Sequence, residues 1–591
     1  MPWGSPTRRS ELGGQLRLAL FVNALDDSYS LSIVRGVLAA ANDTNSRVIA
    51  AVGGVIEPPD SLAAMRNYVY ELFGRNQVDG LLVEAASLSS RVGIPAFETW
   101  LKGLGVPVSS IGAKLQAVPS FIVDNAQGLH EALGHLIERH GYRRIAFIGG
   151  PAANAEARER LQAYVSALKE HGIDVDDKLI LEGNFERMSG VEAVRALFDR
   201  RGANVKGLQA IVAANDAMAL GALDELQKRG IAVPEQVALV GFDDAPAASV
   251  SNPPLTTIRQ PIVEQSYAAL QDLVGRIRGR DAPLVQSQPT RLVVRRSCGC
   301  NMTMRTHSMP VGGPTWGVQA TLVARRSVVL AELARAARGT FVGAGPGWEG
   351  RLLDRLMIDI TNEKTVEFAT YVETVVRRLL TSGSDTTACN DVLGVLREYV
   401  LSATRGDADA MRRAHNVLDD ARVAIGEIRG RAEAEQRIEM ARRVRELVIA
   451  IGAFVATASE RAIADAAAAC FPKLGIPLCC LMYCENPKAS DAEARPVFAL
   501  IDSECRTGLA KFPVRELFPS ELGEGRTDNL AVYPIYFDRR FIGFSVQSLD
   551  SRTGFIYETL REIFGMVLNT AALTSRIREL EATTTPAARA K

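Results

Sequence analysis

A chain of 591 residues exceeds what one hydrophobic core organises, so several domains are expected. Basic and acidic residues cancel at 68 each, which leaves no electrostatic footprint for nucleic acid or an anionic membrane surface. No stretch reaches the ~18 unbroken apolar residues of a membrane span, and residues 1–16 hold no apolar run of signal-peptide length. A cytoplasmic protein with a disordered start is the expectation.

From Arg17 onward, short apolar runs alternate with amphipathic helical stretches. Leu18–Val22, Val48–Val52, Val78–Val83, Ile145–Ile148, Ala210–Ala213 and Val237–Val240 read as buried strands. Each is followed by Gly, Pro, Asn or Asp and then by helical periodicity, the pattern of repeated βαβ units with parallel sheets. The span of residues 17–297 is long for one doubly wound sheet and predicts two α/β lobes. In open α/β sheets ligands bind beyond the carboxyl ends of the strands. The residues there are polar and aromatic: Asp26 to Tyr29, Glu84, Asp124 and Asn125, Asn215 and Asp216, and Asp243 and Asp244.

Residues 298–316 read as a linker, with a Gly/Pro-rich break from Met309 to Trp316, and residues 317–446 as a helical bundle or stalk. Val444, Leu447, Val448, Ile451, Val455 and Ala458 form a helical stripe that predicts a dimer seam over 430–460, shared with a final helix at 556–580. Residues 447–575 combine helices with strand-like runs, the last two joined by Asp538-Arg539-Arg540, and predict an α+β module. Residues 576–591 read as a short helix end and a disordered tail.

The eight cysteines are scattered, which favours free thiols, and Cys479, Cys480 and Cys484 lie in an apolar run as small hydrophobes. Cys298-Gly-Cys300 lacks a second ligand pair, so no metal site is expected. His130, His135 and His140 recur every five residues, share no α-helical face and read as solvated surface. His415 has no nucleotide-binding motif to support a phosphoacceptor role, and "GAGPGWEG" (343–350) lacks the Lys-Ser/Thr of a phosphate loop and reads as a linker. No catalytic residue, cofactor or enzyme activity is expected.

Seven ordered strings resemble the effector-binding core of the lactose/galactose repressor family, which shares its fold with periplasmic sugar-binding proteins. They are "FIVDNAQG" (121–128), "HLIERHGYRRIAFIGG" (135–150), "RLQAYVSAL" (160–168), "EGNFERMSG" (182–190), "AANDAMALGAL" (213–223), "ALVGFDD" (238–244) and "PPLTTIRQP" (253–261). The resemblance implies a two-lobed, periplasmic-binding-protein-like sensor of type I. It also implies a ligand set of Tyr29, Asp124, Arg160, Phe185, Asn215, Asp216, Asp243 and Gln260. Arg, Asp and Asn suit bidentate bonding to hydroxyls or ring nitrogens, and the aromatics suit the apolar face of a ring. Asn215 and Asp243 also read as helix caps, and Asp124 and Asn125 as the turn before a helix.

The strings "LAVYPIYFDRRFIGFSVQSLD" (530–550) and "YETLREIFGMVLNTAAL" (557–573) resemble the linker-plus-GAF arrangement of bacterial signalling proteins. The combined expectation is a dimeric, ligand-responsive signalling or transcription regulator. It would bind a sugar-like or nucleobase-like metabolite and act through a downstream partner protein. A transport-type solute-binding protein and a DNA-binding repressor-like transcription factor are the alternatives. Since 16 residues precede Arg17, too few for a recognition helix-turn-helix, direct nucleic-acid binding is not expected. The chain is expected to cross between lobes near Gly141, Gln260 and 285–291.

Overall fold

A computed structural model describes residues 15–73, 77–201, 207–280, 282–300, 318–337, 341, 344–362, 365–381, 386, 388–404, 406–457, 459–484, 492–519, 526, 528–550 and 554–584. The expected disordered start, the Gly/Pro-rich break at 309–316 and the tail beyond 584 lie outside the described residues, the start from residue 15 excepted. Among the described residues no helix is long and apolar enough to cross a membrane.

The runs read as strands do form parallel sheets. The first lobe holds β1 (Leu16–Val22), β2 (Ser46–Val52), β3 (Gly80–Glu84), β4 (Val108–Ile111), β5 (Ser120–Asp124) and β11 (Val285–Pro289), in spatial order β11-β5-β4-β3-β1-β2. Helices α1 (Ser28–Thr44), α2 (Ile94–Leu104) and α7 (Ile262–Ile277) belong to this lobe. Alternation along β1 decides its packing: Leu18, Leu20 and Val22 enter one core with α1 and α7, while Ala19 and Phe21 enter the core on the other face.

The second lobe is built on β6 (Ile145–Ile148), β7 (Ile180–Leu181), β8 (Ala210–Ala213) and β9 (Ala238–Val240), ordered β7-β6-β8-β9 and all parallel. Around it lie α3 (Asn125–Gly134), α4 (Ala155–Glu170), α5 (Arg187–Arg195) and α6 (Asp216–Lys228), with the small ladder of β10 (Thr257–Arg259) and β12 (Arg291–Val293). Leu129, Ala132, Leu133 and Leu136 of α3 and the turn after it are buried in this lobe's core. The chain therefore first crosses between the lobes at Asp124–Asn125, not near Gly141, because the apolar face of α3 belongs to the second core. The other crossings fall at Gln260–Pro261 and at Thr290.

Residues 306–445 form a compact unit of their own. Its helices are α8 (Val318–Ala324), α9 (Arg326–Ala337), α10 (Trp348–Thr361), α11 (Glu367–Thr381), α12 (Ala388–Ala403) and the first part of α13 (Ala408–Val455), around a core that includes Leu333, Trp348, Leu356, Val376 and Leu396. Of the segment read as a linker at 343–350, the described residues 344–350 form a corner inside this unit. Phe341 packs on Trp348 with ring centroids 4.5 Å apart, and Gly347 takes the left-handed conformation that starts α10.

The C-terminal residues fold with the first lobe rather than behind a stalk. Strand β17 (Leu530–Phe537) pairs parallel to β2, placing Leu530 opposite Ile49 and Val532 opposite Ala51. The sheet continues antiparallel through β18 (Arg540–Ser548), β13 (Leu478–Tyr483), β14 (Glu493–Ile501) and β15 (Glu504–Arg506), and β16 (Phe512–Pro513) pairs with β14. Helices α14 (Glu460–Leu474) and α15 (Gly554–Thr584) cover one face, so Phe454, Phe471 and Phe564 share a core with Leu18 and Val37. A free edge of β2 would expose unpaired N–H and C=O groups, and β17 satisfies them. The stripe on α13 divides accordingly: Leu447 and Phe454 are buried and Ile451 packs beside them, whereas Val444, Val448 and Val455 are exposed. Cys479, Cys480 and Cys484 are buried free thiols.

Candidate functional site

The carboxyl ends of β1, β3, β6, β8 and β9 converge where the two lobes meet. The lobes touch there directly, since Asn154 at the start of α4 donates from Nδ2 to the Ala86 carbonyl of the first lobe at 3.1 Å. The crossings are bound to one another as well: Thr290 Oγ1 donates to the Asp124 carbonyl at 2.6 Å. A Cβ at Gly128 would lie 2.5 Å from both Thr290 Oγ1 and Ile258 Cγ2, so only glycine permits this approach.

Arg160, on the buried face of α4, is the centre of the cleft. Its Nε donates to Asn125 Oδ1 at 2.9 Å and its Nη1 to the Ala214 carbonyl at 2.8 Å, while its central carbon lies over the Phe242 ring. Nη2 is buried and has no hydrogen-bond partner, with Glu156 Oε2 at 3.6 Å the carboxylate oxygen nearest to it. A guanidinium whose other nitrogens are fixed by protein is held ready to offer the remaining N–H groups to a ligand.

Acidic side chains surround this cation. Asp243 accepts from Gln260 Nε2 at 2.5 Å, and burial lifts its carboxyl to about 6 against the lowering influence of Arg160. Burial raises Glu156 to about 7, and burial together with Asp27 raises Glu84 to about 8. Glu84 Oε2 accepts from the Asn23 amide at 3.0 Å and Ser30 Oγ at 3.1 Å, while its Oε1 is buried and accepts none. Tyr29 stands among these groups: burial chiefly, then Glu156 and Glu84, push its phenol well above the usual range. Carboxyls poised near neutrality can both donate and accept hydrogen bonds.

The structure separates the residues named from sequence into two kinds. Tyr29, Arg160, Phe185 and Asp243 are brought together at the cleft. The Phe185 ring lies 5.9 Å from the Arg160 guanidinium carbon, and its backbone holds a positive φ of 70°. Asp124, Asn215, Asp216 and Gln260 are engaged by protein. Asp124 caps α3 through the Gln127 amide, and Asn215 caps α6 through the Met218 amide and holds the Phe185 carbonyl with Nδ2. Asp216 accepts from Thr257 Oγ1 at 2.6 Å and the Ala245 amide at 2.8 Å. Asp243 caps no helix; its φ of 117° turns the carboxyl to Gln260 instead. Sequence reading placed Asn125 at a strand end without a site role, and it missed Glu156 and Phe242. The i, i+4 spacing of Glu156 and Arg160 on one helix face was the available signal for the glutamate.

A second cluster lies outside the cleft. His135, His140, Cys298 and Cys300 meet with their ligand atoms all within 4.8 Å of one another. This corrects the reading of His135 and His140, though not of His130, as solvated surface, and of Cys298 and Cys300 as lacking a second ligand pair. Residues His135–Arg139 wind as a π-helix, whose i→i+5 repeat brings His135 and His140 to one side, which α-helical spacing would not.

Residues 133–298 match the family described as periplasmic binding protein-like domain. The HTH-type transcriptional regulator CelR of Thermobifida fusca is 39% identical over 188 residues, covering 32% of this chain and 54% of CelR. The HTH-type transcriptional repressor CytR of Escherichia coli K12 is 29% identical over 281 residues, covering 47% of this chain and 77% of CytR. Among solved structures, a CelR–cellobiose complex is similar at 32% identity over 49% of this chain and 88% of that one, with a TM-score of 0.42. The chain spans about half the length of CelR and of AscG, another similar HTH-type regulator from E. coli. It thus carries an α/β domain of the periplasmic-binding-protein-like kind, similar in sequence to part of several HTH-type transcriptional regulators.

Proposed function

We propose that the chain is a non-enzymatic, effector-responsive regulator whose cleft closes on a small, hydroxyl-rich or nucleobase-like metabolite. One observation carries this reading: Arg160 Nη2 from the second lobe and Glu84 Oε1 from the first are buried polar atoms that lack a hydrogen-bond partner within the protein. An unmade hydrogen bond at such an atom costs ~1–3 kcal/mol, and a ligand spanning the cleft relieves both. Arg160 and Asp243 anchor it, Tyr29 and Phe185 pack against it, and Glu84 and Glu156 complete the polar set. Asp124, Asn215, Asp216 and Gln260 position these groups.

The relatives' names favour transcription as the process regulated, with output passing through the helical unit and the GAF-like C-terminal strands to a partner, in a homodimer. The test is a thermal-shift screen of the full chain against sugars, polyols, nucleosides and nucleobases, repeated with Arg160→Ala. A ligand present at 100 times its Kd adds ~2.7 kcal/mol to the unit that binds it. Stabilisation by one chemical class, lost in the variant, is expected. Equal stabilisation of the variant would remove Arg160 from the site, and no response to any class would count against the reading.

A further inference from the structure

From the juxtaposition of His135 and His140 with Cys298 and Cys300, we infer that the second lobe holds a structural zinc ion at the end of its sheet remote from the cleft. The distances are those a tetrahedral ion imposes. With Zn–N of ~2.0–2.1 Å and Zn–S of ~2.3 Å, neighbouring ligands stand roughly 3.3 Å apart for two nitrogens and roughly 3.5 Å for nitrogen and sulfur. Here His135 Nε2 and His140 Nε2 are 3.3 Å apart. Cys298 Sγ and Cys300 Sγ lie 3.6 and 3.5 Å from His135 Nε2, and Cys300 Sγ lies 3.3 Å from His140 Nε2.

Ordinary hydrogen bonding does not account for this arrangement. His135 Nε2 faces three lone-pair-bearing atoms at once, and the one proton a neutral imidazole can place there serves one of them. Both rings present the same nitrogen to a common centre, and both sulfurs face it too. The set of two cysteines and two histidines is closed, with soft and borderline donors that favour zinc over oxygen-seeking cations.

The surroundings are built to hold the ligands. Cys298 is fully buried in the second-lobe core, Tyr142 stacks on His140 at 5.3 Å with planes 19° apart, and Gly299 adopts a φ of 98° between the two cysteines. That left-handed residue lets both thiols turn to one side, as a residue with a Cβ rarely would. Two ligands come from the π-helical turn after α3 and two from the segment after β12. The ion therefore fastens the end of the sensor domain to its own sheet just before the chain leaves for the helical unit. Zinc exchanges no electrons and all four positions are filled by protein, so the role is to fix geometry.

The experiment is elemental analysis of the full chain, with Cys300→Ser and His140→Ala, followed by cobalt(II) exchange. One zinc per chain is expected, nearly all of it lost in both variants. The cobalt form should show the intense visible bands of a tetrahedral site and a thiolate charge-transfer band in the near ultraviolet. Absence of stoichiometric metal after zinc incubation, a cobalt spectrum without thiolate transitions, or a Cys298–Cys300 disulfide in the mass spectrum would each overturn the inference. Should either variant fail to fold by circular dichroism, the cobalt spectrum of the unaltered chain decides alone.

Discussion

The guanidinium of Arg160 sits over the ring of Phe242, its central carbon 3.9 Å from the ring centroid. Contact with an aromatic face while two nitrogens are bonded to protein fixes the plane in which the remaining N–H groups point. The cleft thus holds its cation in place before any ligand arrives, and little side-chain entropy is lost on binding.

Replacing Arg160 by Lys should therefore be no milder for binding than replacing it by Met. Lysine keeps the charge but neither the planar group over the ring nor the fork, and it leaves the Asn125 or Ala214 oxygen without its donor. Each orphaned acceptor costs ~1–3 kcal/mol. Urea denaturation should show a loss of this size for both variants, together with loss of effector-induced stabilisation. Retained binding in Arg160→Lys would show that charge alone suffices.

Stability of the lobes should fall as pH rises from about 5 to about 8. Burial raises Glu84 to about 8 and Glu156 to about 7, above their unfolded values, so the folded state binds more protons across this window. Their stabilising, protonated form is fully present below the unfolded pKa and is lost as pH passes the folded one. Each group contributes a slope of up to about 1.4 kcal/mol per pH unit. Glu84→Gln keeps acceptors for Asn23 and Ser30 and should flatten the slope nearest pH 8. Denaturation series at matched ionic strength check this, and an unchanged slope would falsify the assignment to Glu84.

The junction of β2 with β17 should respond to Asn529→Ala. Its Oδ1 accepts from the Val48 amide at 2.8 Å, beside Arg47 Nε donating to the Asp528 carbonyl at 2.8 Å. Removing the acceptor strands a backbone donor at the start of the shared ladder, at ~1–3 kcal/mol. Hydrogen exchange should rise along 48–52 and 530–532 together. Faster exchange in only one of these strands would mean that the pairing does not hold them jointly.

Self-association is expected through exposed apolar positions at helical spacing on α15, Met566, Leu573, Ile577 and Leu580, with Val448 and Val455 of α13. Light scattering at micromolar concentration should report a dimer, and Ile577→Asp should reduce it to monomer without loss of helix content. A dimer indifferent to this change would place the interface elsewhere.

Strands such as Leu18–Val22 and Ala210–Ala213 were legible because continuous apolar runs followed by turn residues leave few other conformations. Arg160 was legible through its motif. What surrounds it was not: Phe242 looks like any core aromatic until the fold lays it against the guanidinium. The partner of β2 was equally hidden, since an apolar run records that an edge must be covered but not that a strand 480 residues later covers it. His135 and His140 were misread because a five-residue spacing has meaning only once the local helix type is known.

The helical unit of residues 306–445 is an insertion within the sheet-containing unit, and its two attachments differ in kind. The chain enters it after Cys300, at the end of the second lobe, and returns through α13 to a core that contains β1 of the first lobe. The first lobe shares its sheet with the C-terminal strands. The second lobe is joined to the first by three single-chain crossings and is the lighter body. If the cleft closes on an effector as proposed, the two points of the chain that tether the helical unit, after Cys300 and before Glu446, shift relative to each other as the ends of a strain gauge do. Under the proposed function the effector would be read out as tension or slack across the inserted helices.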